Sequence, residues 1–204
     1  ARLDAAADGM LGLGLDRRVR AVNQRLAQLW NLPRQLLVER DDAAVYAFMA
    51  DQVSDPHFYA ERLAAIDREP MQESTDIVEL RNGVVLEMRT VPQFSQGRAV
   101  GRVYSFRDIT RQTETQASLR LAARVFESSL DAIFIADSQH RIMRMNPGCE
   151  RLVGPTAKGF EGCVAASLFG GGSDASFMEQ VLQGWAKDGF WEGELWLPRD
   201  NGAY

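Results

Sequence analysis

Two histidines and two cysteines are the whole supply of imidazole and thiol in this 204-residue chain. Cys149 and Cys163 have neither the paired spacing of a metal site nor that of a disulfide framework, so they read as reduced thiols of a cytosolic protein. No apolar stretch approaches the roughly 18 residues that cross a bilayer. The N-terminus also has no basic region leading into an apolar core and cleavage site. The segment therefore reads as cytoplasmic, with membrane anchoring only through segments outside it. Runs of Lys or Arg are absent too: 23 basic and 28 acidic residues are spread along the chain, for a net charge of −5. That distribution excludes a nucleic-acid footprint. Neither clustered carboxylates for metal ions nor a phosphoacceptor His followed by an ATP site is present, and no Gly-rich phosphate loop opens a helix. The Gly170-Gly171-Gly172 run reads as a flexible loop ahead of a Ser173–Asp174 helix cap. No catalytic residue and no metal ligand is assigned, which makes a free-standing enzyme the weakest class.

What is present is a globular composition, 46% hydrophobic and 25% charged, with room for two domains of about 100 residues each. An internal repeat supports that division. DGMLGLGLDRRVRAVN, from Asp8 to Asn23, lies without gaps over DAIFIADSQHRIMRMN, from Asp131 to Asn146, at an offset of 123. Asp8 falls on Asp131, Arg18 on Arg141, Asn23 on Asn146 and, further on, Leu29 on Leu152. Each copy reads as a hairpin of two short strands followed by a short amphipathic helix, Gln24 to Trp30 in the first.

Helical periodicity then takes over from Leu32 to Pro70. Asp55 is an N-cap with Pro56 at the first helical position, and Tyr59, Leu63 and Ile66 recur at helical spacing. Three strands are expected next: Thr75 to Leu80, Val84 to Val91 after the Arg81-Asn82-Gly83 turn, and Ala99 to Arg107 after Gln96-Gly97. This order predicts an α+β fold, a five-stranded antiparallel sheet with helices over one face. From Thr110 to about Leu130 the chain has neither Gly nor Pro and reads as a connecting helix, with a seam through Leu119, Ala122 and Phe126.

The order of elements and several motifs resemble the PAS superfamily, the sensor modules of bacterial signalling proteins. In the first copy the resemblance rests on AADGMLGLGLDRRVRAVNQRLAQLWNLP and ELRNGVVLEMRTVPQFSQGRAVGRVYSFRDIT, and above all on Asp108-Ile109-Thr110, which looks like the family's Asp-x-Thr junction between last strand and exit helix. In the second it rests on ESSLDAIFIADSQHRIMRMNPGCERLVG and GFWEGELWLPRDNGAY. The resemblance implies two tandem PAS-like domains, 1–110 and 127–204, joined by a signalling helix at 111–126. The second copy then lacks its last strands. A homodimer is implied, with a downstream effector domain in the same polypeptide. Cyclic-di-GMP synthesis or hydrolysis is the favoured output and a sensor histidine kinase the second. A dimerisation scaffold without ligand is the alternative.

Asp108 and Thr110 are the expected signal-coupling pair. A carboxylate and a hydroxyl at a helix start accept hydrogen bonds from free amides and favour the positive end of the helix dipole. For a ligand, haem is disfavoured, because His57 falls off the apolar stripe of its helix and pairs with Glu61 instead. GFEGCVAASLF around Cys163 does not match the photoreactive Asn-Cys-Arg-Phe-Leu-Gln motif. The segment GWAKDGFWEGELW is similar to flavin-binding redox sensors; core or interface packing is the first reading of Trp191 and Trp196, and the alternative is FAD in the second domain, with Trp185, Trp191 and Trp196 as stacking surface and Asn146 as an amide for a ring edge. In the first domain Trp30, with Tyr46, Phe48 and Met49, reads as core packing, with the lining of a small-molecule cavity as the alternative that the fold resemblance implies.

Overall fold

The computed structural model describes residues 7–39, 41–169, 179–181, 183, 184 and 187. Contacts divide the chain into two units, Ala1–Ala117 and Ser118–Tyr204.

In the first unit β1 (Gly9–Gly14) and β2 (Val19–Val22) are followed by α1 (Gln24–Leu29), α2 (Arg34–Glu39), α3 (Asp42–Gln52) and α4 (Pro56–Arg68), and then by β3 (Ser74–Glu79), β4 (Val85–Ser95) and β5 (Arg98–Asp108). The strands form one antiparallel sheet in the order β2-β1-β5-β4-β3. This is the α+β architecture expected. Helix starts fall where a short polar side chain supplies the acceptor that the first turn lacks. Asn23 takes the Leu26 amide at 2.9 Å, Asp41 the Ala44 amide at 3.0 Å and Asp55 the Phe58 amide at 2.9 Å.

The two long hairpins use different turns. At Asn82-Gly83 only Gly83 has positive φ (86°), and its amide donates to Leu80 O at 2.9 Å. The loop is therefore a three-residue turn with glycine at the bulge. At the β4–β5 tip Gln96 and Gly97 both have positive φ (50° and 77°), as a two-residue primed turn requires.

Strand alternation sets the core. Leu86, Met88 and Thr90 on β4 and Tyr104 and Phe106 on β5 are buried, while Arg89 and Arg107 are exposed. Trp30 fills the space between helices and sheet. Its ring meets Phe106 edge-on at 5.3 Å and Tyr59 at 6.2 Å. Arg102 breaks the apolar pattern of the inner face, yet each nitrogen of its guanidinium donates a hydrogen bond. It donates to Thr90 Oγ1 at 2.7 Å, to Pro70 O at 2.6 Å and to Gln72 O, which ties the segment after α4 to the sheet.

Helix α5 (Thr110–Ser128) continues from β5. The second unit then has a hairpin of β6 (Phe134–Ala136) and β7 (Ile142–Met145), helix α6 (Pro147–Val153) and 3-10 turns at Pro155–Phe160 and Ala165–Phe169. Ile142, Ala165 and Leu168 form its small core with Phe134, Met145 and Phe160 against them. Trp185, Trp191, Trp196 and the Gly170–Gly172 run lie outside the described residues.

The offset of 123 reappears as geometry. Arg17 (φ 62°) and His140 (φ 60°) occupy the same turn position. The turn-closing bonds Gly14 N to Arg18 O and Asp137 N to Arg141 O are both 2.9 Å. Asn23 Oδ1 accepts from Met10 N and Asn146 Oδ1 from Ile133 N, each at 2.8 Å. Asn23 Nδ2 donates to Asp8 O and Asn146 Nδ2 to Asp131 O, each at 2.9 Å. The hairpin start approaches the following helix closely in both copies, and glycine serves the contact from opposite sides. A Cβ on Gly9 would lie 2.9 Å from Leu26 Cα, and one on Gly148 would lie 2.1 Å from Asp131 O. The offset puts Ala132 opposite Gly9 and Arg25 opposite Gly148. Leu29 and Leu152 do not share a role: Leu29 is in the core and Leu152 is exposed.

Candidate functional site

The junction between β5 and α5 is built from three residues and the start of β4. Asp108 Oδ1 accepts from the Thr110 amide at 3.0 Å and from the Thr110 hydroxyl at 2.6 Å. Thr110 Oγ1 in turn accepts from the Val85 amide at 2.9 Å. Val85 O completes the lacing by accepting from the Ile109 amide at 2.9 Å. The first turn of α5 is therefore hydrogen-bonded to the residue that opens β4, just after the Asn82-Gly83 turn. Thr110's hydroxyl and amide hold the Asp108 carboxyl below its ordinary range, with Arg25 adding an attractive field. Asp108 is thus kept ionised at the positive end of the helix. The expected capping chemistry is present, and the route from it to the sheet runs through Val85.

At the other end of α5 the structure places Asn146, a buried residue that caps α6. Its oxygen accepts from Ile133 N at 2.8 Å and Cys149 N at 3.2 Å, and its amide hydrogens go to Asp131 O at 2.9 Å and Phe126 O at 3.0 Å. Both donors and both acceptor directions are taken by backbone of its own unit. The Asn146 amide thus faces protein where the sequence expectation turned it toward a ligand edge.

Trp30 lies in the core at 1% exposure, with its indole N–H unpartnered among the described residues. Met49 is buried in the same core cluster, Phe48 packs against that cluster, and Tyr46 turns its hydroxyl to Arg17 O at 2.7 Å. Burial pushes the Tyr46 phenol up to about 12, with Asp42 adding to the effect. A cleft of about 980 Å³ opens instead along β2, bounded by residues such as Val22, Gln28, Arg34 and Asp42. Trp30 is not on its wall. His57 is exposed, with Nδ1 3.9 Å from Glu61 Oε2, the pairing expected of it.

On α5, Leu119 is 67% exposed and Ala122 is exposed as well. Phe126 is half-buried, with the Arg144 guanidinium 5.5 Å from its ring centre. The seam expected along Leu119, Ala122 and Phe126 is therefore open at its first two positions and covered at its third. Leu121 and Val125 are exposed too, a second apolar pair at i and i+4 that the seam left out.

Residues 130–204 match the family model of the PAS domain. No curated protein matches the chain. Similar solved structures include the sensor region of a sensor histidine kinase, at 21% identity over 53% of this chain and 41% of that one, with a TM-score of 0.42. The chain thus spans about two fifths of that sensor region. A PAS domain of a protein from Colwellia psychrerythraea matches at 16% identity over 53% of this chain and 92% of its own, with a TM-score of 0.37. The PAS domain of the fruit-fly ELK potassium channel matches at 13% identity over 53% and 92%, with a TM-score of 0.40. No helix among the described residues is long and apolar enough to cross a membrane.

Proposed function

We propose that this chain is the input segment of a signalling protein, two PAS-type units in tandem in which α5 carries a change of state from the sheet of the first to the hairpin of the second. The observation that supports this most is that side chains hydrogen-bond α5 at both of its ends, through Asp108 and Thr110 to Val85 and through Phe126 O to Asn146. Strain in β4 or β5 therefore meets the helix at its first turn, where a small shift of a packed element is the usual currency of switching. The recurrence of the hairpin and asparagine bonds at an offset of 123 supports the tandem assignment. By resemblance, the output beyond this segment is cyclic-di-GMP synthesis or hydrolysis, with a histidine kinase as the second assignment, and the signal is a small molecule or a redox change. Asp108→Ala in the full-length parent is expected to leave the first unit folded and to change output activity about 5- to 150-fold, the range of ordinary coupling energies. Unchanged output with a folded first unit would count against the role.

The exposed Leu119, Leu121 and Val125 support a homodimer formed along α5. Leu119→Glu should shift sedimentation of the purified chain from dimer to monomer; a monomeric parent chain would remove the dimer from the account. One observation favours a second reading, a dimerisation scaffold without ligand: Trp30, Phe106 and Tyr59 fill the interior in which a small molecule would sit.

A further inference from the structure

The last turn of any helix leaves carbonyls that no helical amide can serve. In α5 one of these, Phe126 O, is met by the side chain of Asn146, the N-cap of α6, with Arg144 of β7 and Arg151 of the last turn of α6 bonding beside it. Phe126 O accepts from Asn146 Nδ2 at 3.0 Å, and Ser129 O, just past the helix, accepts from Arg151 Nη2 at 2.7 Å. Arg144 Nη2 donates to Glu127 Oε1 at 2.7 Å, and the same guanidinium lies over the Phe126 ring. Two of the three side chains are cations placed at the negative end of the helix dipole. The third is the buried one. Through one planar amide Asn146 also binds Asp131 O, Ile133 N and Cys149 N, which belong to the entry of the hairpin and the first turn of α6.

We propose that Asn146, seconded by Arg144 and Arg151, is the clamp that receives displacement of α5 and delivers it to the β6–β7 hairpin and α6. This rests on the reading of α5 as the signal-carrying helix. Helix shifts in switching proteins are about 1–2 Å, and a bond of 3.0 Å does not survive such a stretch. The amide must therefore either follow the helix or release it. If it follows, its other three bonds move Asp131, Ile133 and Cys149 together. Among the described residues the hairpin has two strands, β6 and β7, and Ile142 anchors it in a core with Ala165 and Leu168.

The test is hydrogen exchange by NMR on the whole 204-residue chain. Asn146→Ser keeps an oxygen able to cap α6 but removes the donor to Phe126 O. Amides of Val125 to Ser129 are expected to exchange about tenfold faster, the scale of one hydrogen bond's net contribution, while α1 to β5 stay unchanged. Unaltered exchange at Val125 to Ser129 would overturn the clamp. Transmission is read by adding Asp108→Ala. Alone, that variant should alter exchange across Phe134 to Met145, and in the Asn146→Ser background it should add nothing. Equal changes in both backgrounds would overturn the clamp while leaving α5 as the carrier. No change from Asp108→Ala alone, beside a normal local loss in Asn146→Ser, would instead overturn the reading of α5 and leave Asn146 a helix stop.

Discussion

Gly148→Ala is expected to destabilise the second unit by about 3 kcal/mol or more, at the upper end of overpacking costs. The added Cβ would lie 2.1 Å from Asp131 O and 2.7 Å from its carbonyl carbon. Backbone blocks it on that side, so no rotamer change relieves the clash. Moving Asp131 away would also break its bond from Asn146 Nδ2, 2.9 Å long. Loss and clash therefore add. Exchange protection at Ile142 and Cys149 should collapse while the first unit keeps its own. Gly159→Ala provides the control, because nothing lies within 4 Å of a Cβ there. It should be neutral or slightly stabilising. A Gly148→Ala protein with normal protection would mean that hairpin and α6 stand further apart than described.

Trp30→Ala should cost about 3–5 kcal/mol, the usual range for removing a buried large aromatic, a large share of the roughly 5–15 kcal/mol by which a domain is stable. Trp30→Phe should cost far less, about 1 kcal/mol. Truncating the indole loses contact with Phe106 and Tyr59, but it also removes a buried N–H that has no partner among the described residues. Leaving such a donor unsatisfied costs about 1–3 kcal/mol, so the two effects oppose each other. Urea unfolding of both variants measures the difference. A Phe variant as unstable as the Ala variant would show that the indole N–H has a partner after all.

The hairpins were legible because their signals are local. Asp55-Pro56, Asn82-Gly83 and the capping bonds of Asn23 and Asn146 each act within a few residues, and helix starts and turns fall where those residue types require. The junction was legible for the same reason: Asp108 and Thr110 are two residues apart and bond to each other. What depended on distant backbone was not. The Phe126 carbonyl that takes the Asn146 amide lies 20 residues earlier, and it is free to accept only because α5 stops at Ser128. Arg102 sits at an inward position of β5 where alternation calls for an apolar residue; besides Thr90 on the neighbouring strand, its acceptors are the backbone oxygens of Pro70 and Gln72, far from it in sequence. Glycine's exchange of sides between the copies, Gly9 in one and Gly148 in the other, weakens the residue-by-residue match while preserving the close approach. The apolar stripe of α5 was only half read. Leu121 and Val125 share a spacing as regular as that of Leu119 and Ala122, and only exposure shows that both pairs are open.

Under the proposed function, α5 links the sheet of the first unit to the hairpin of the second. Hydrogen exchange at Phe134 to Met145 in the Asp108→Ala chain tests it most directly, because the substitution lies in the first unit and the readout in the second. The expected result is a severalfold change in the exchange of those amides while the Trp30 core keeps its protection. Exchange identical to the parent chain, with the bond from Thr110 to Asp108 demonstrably lost, would contradict it.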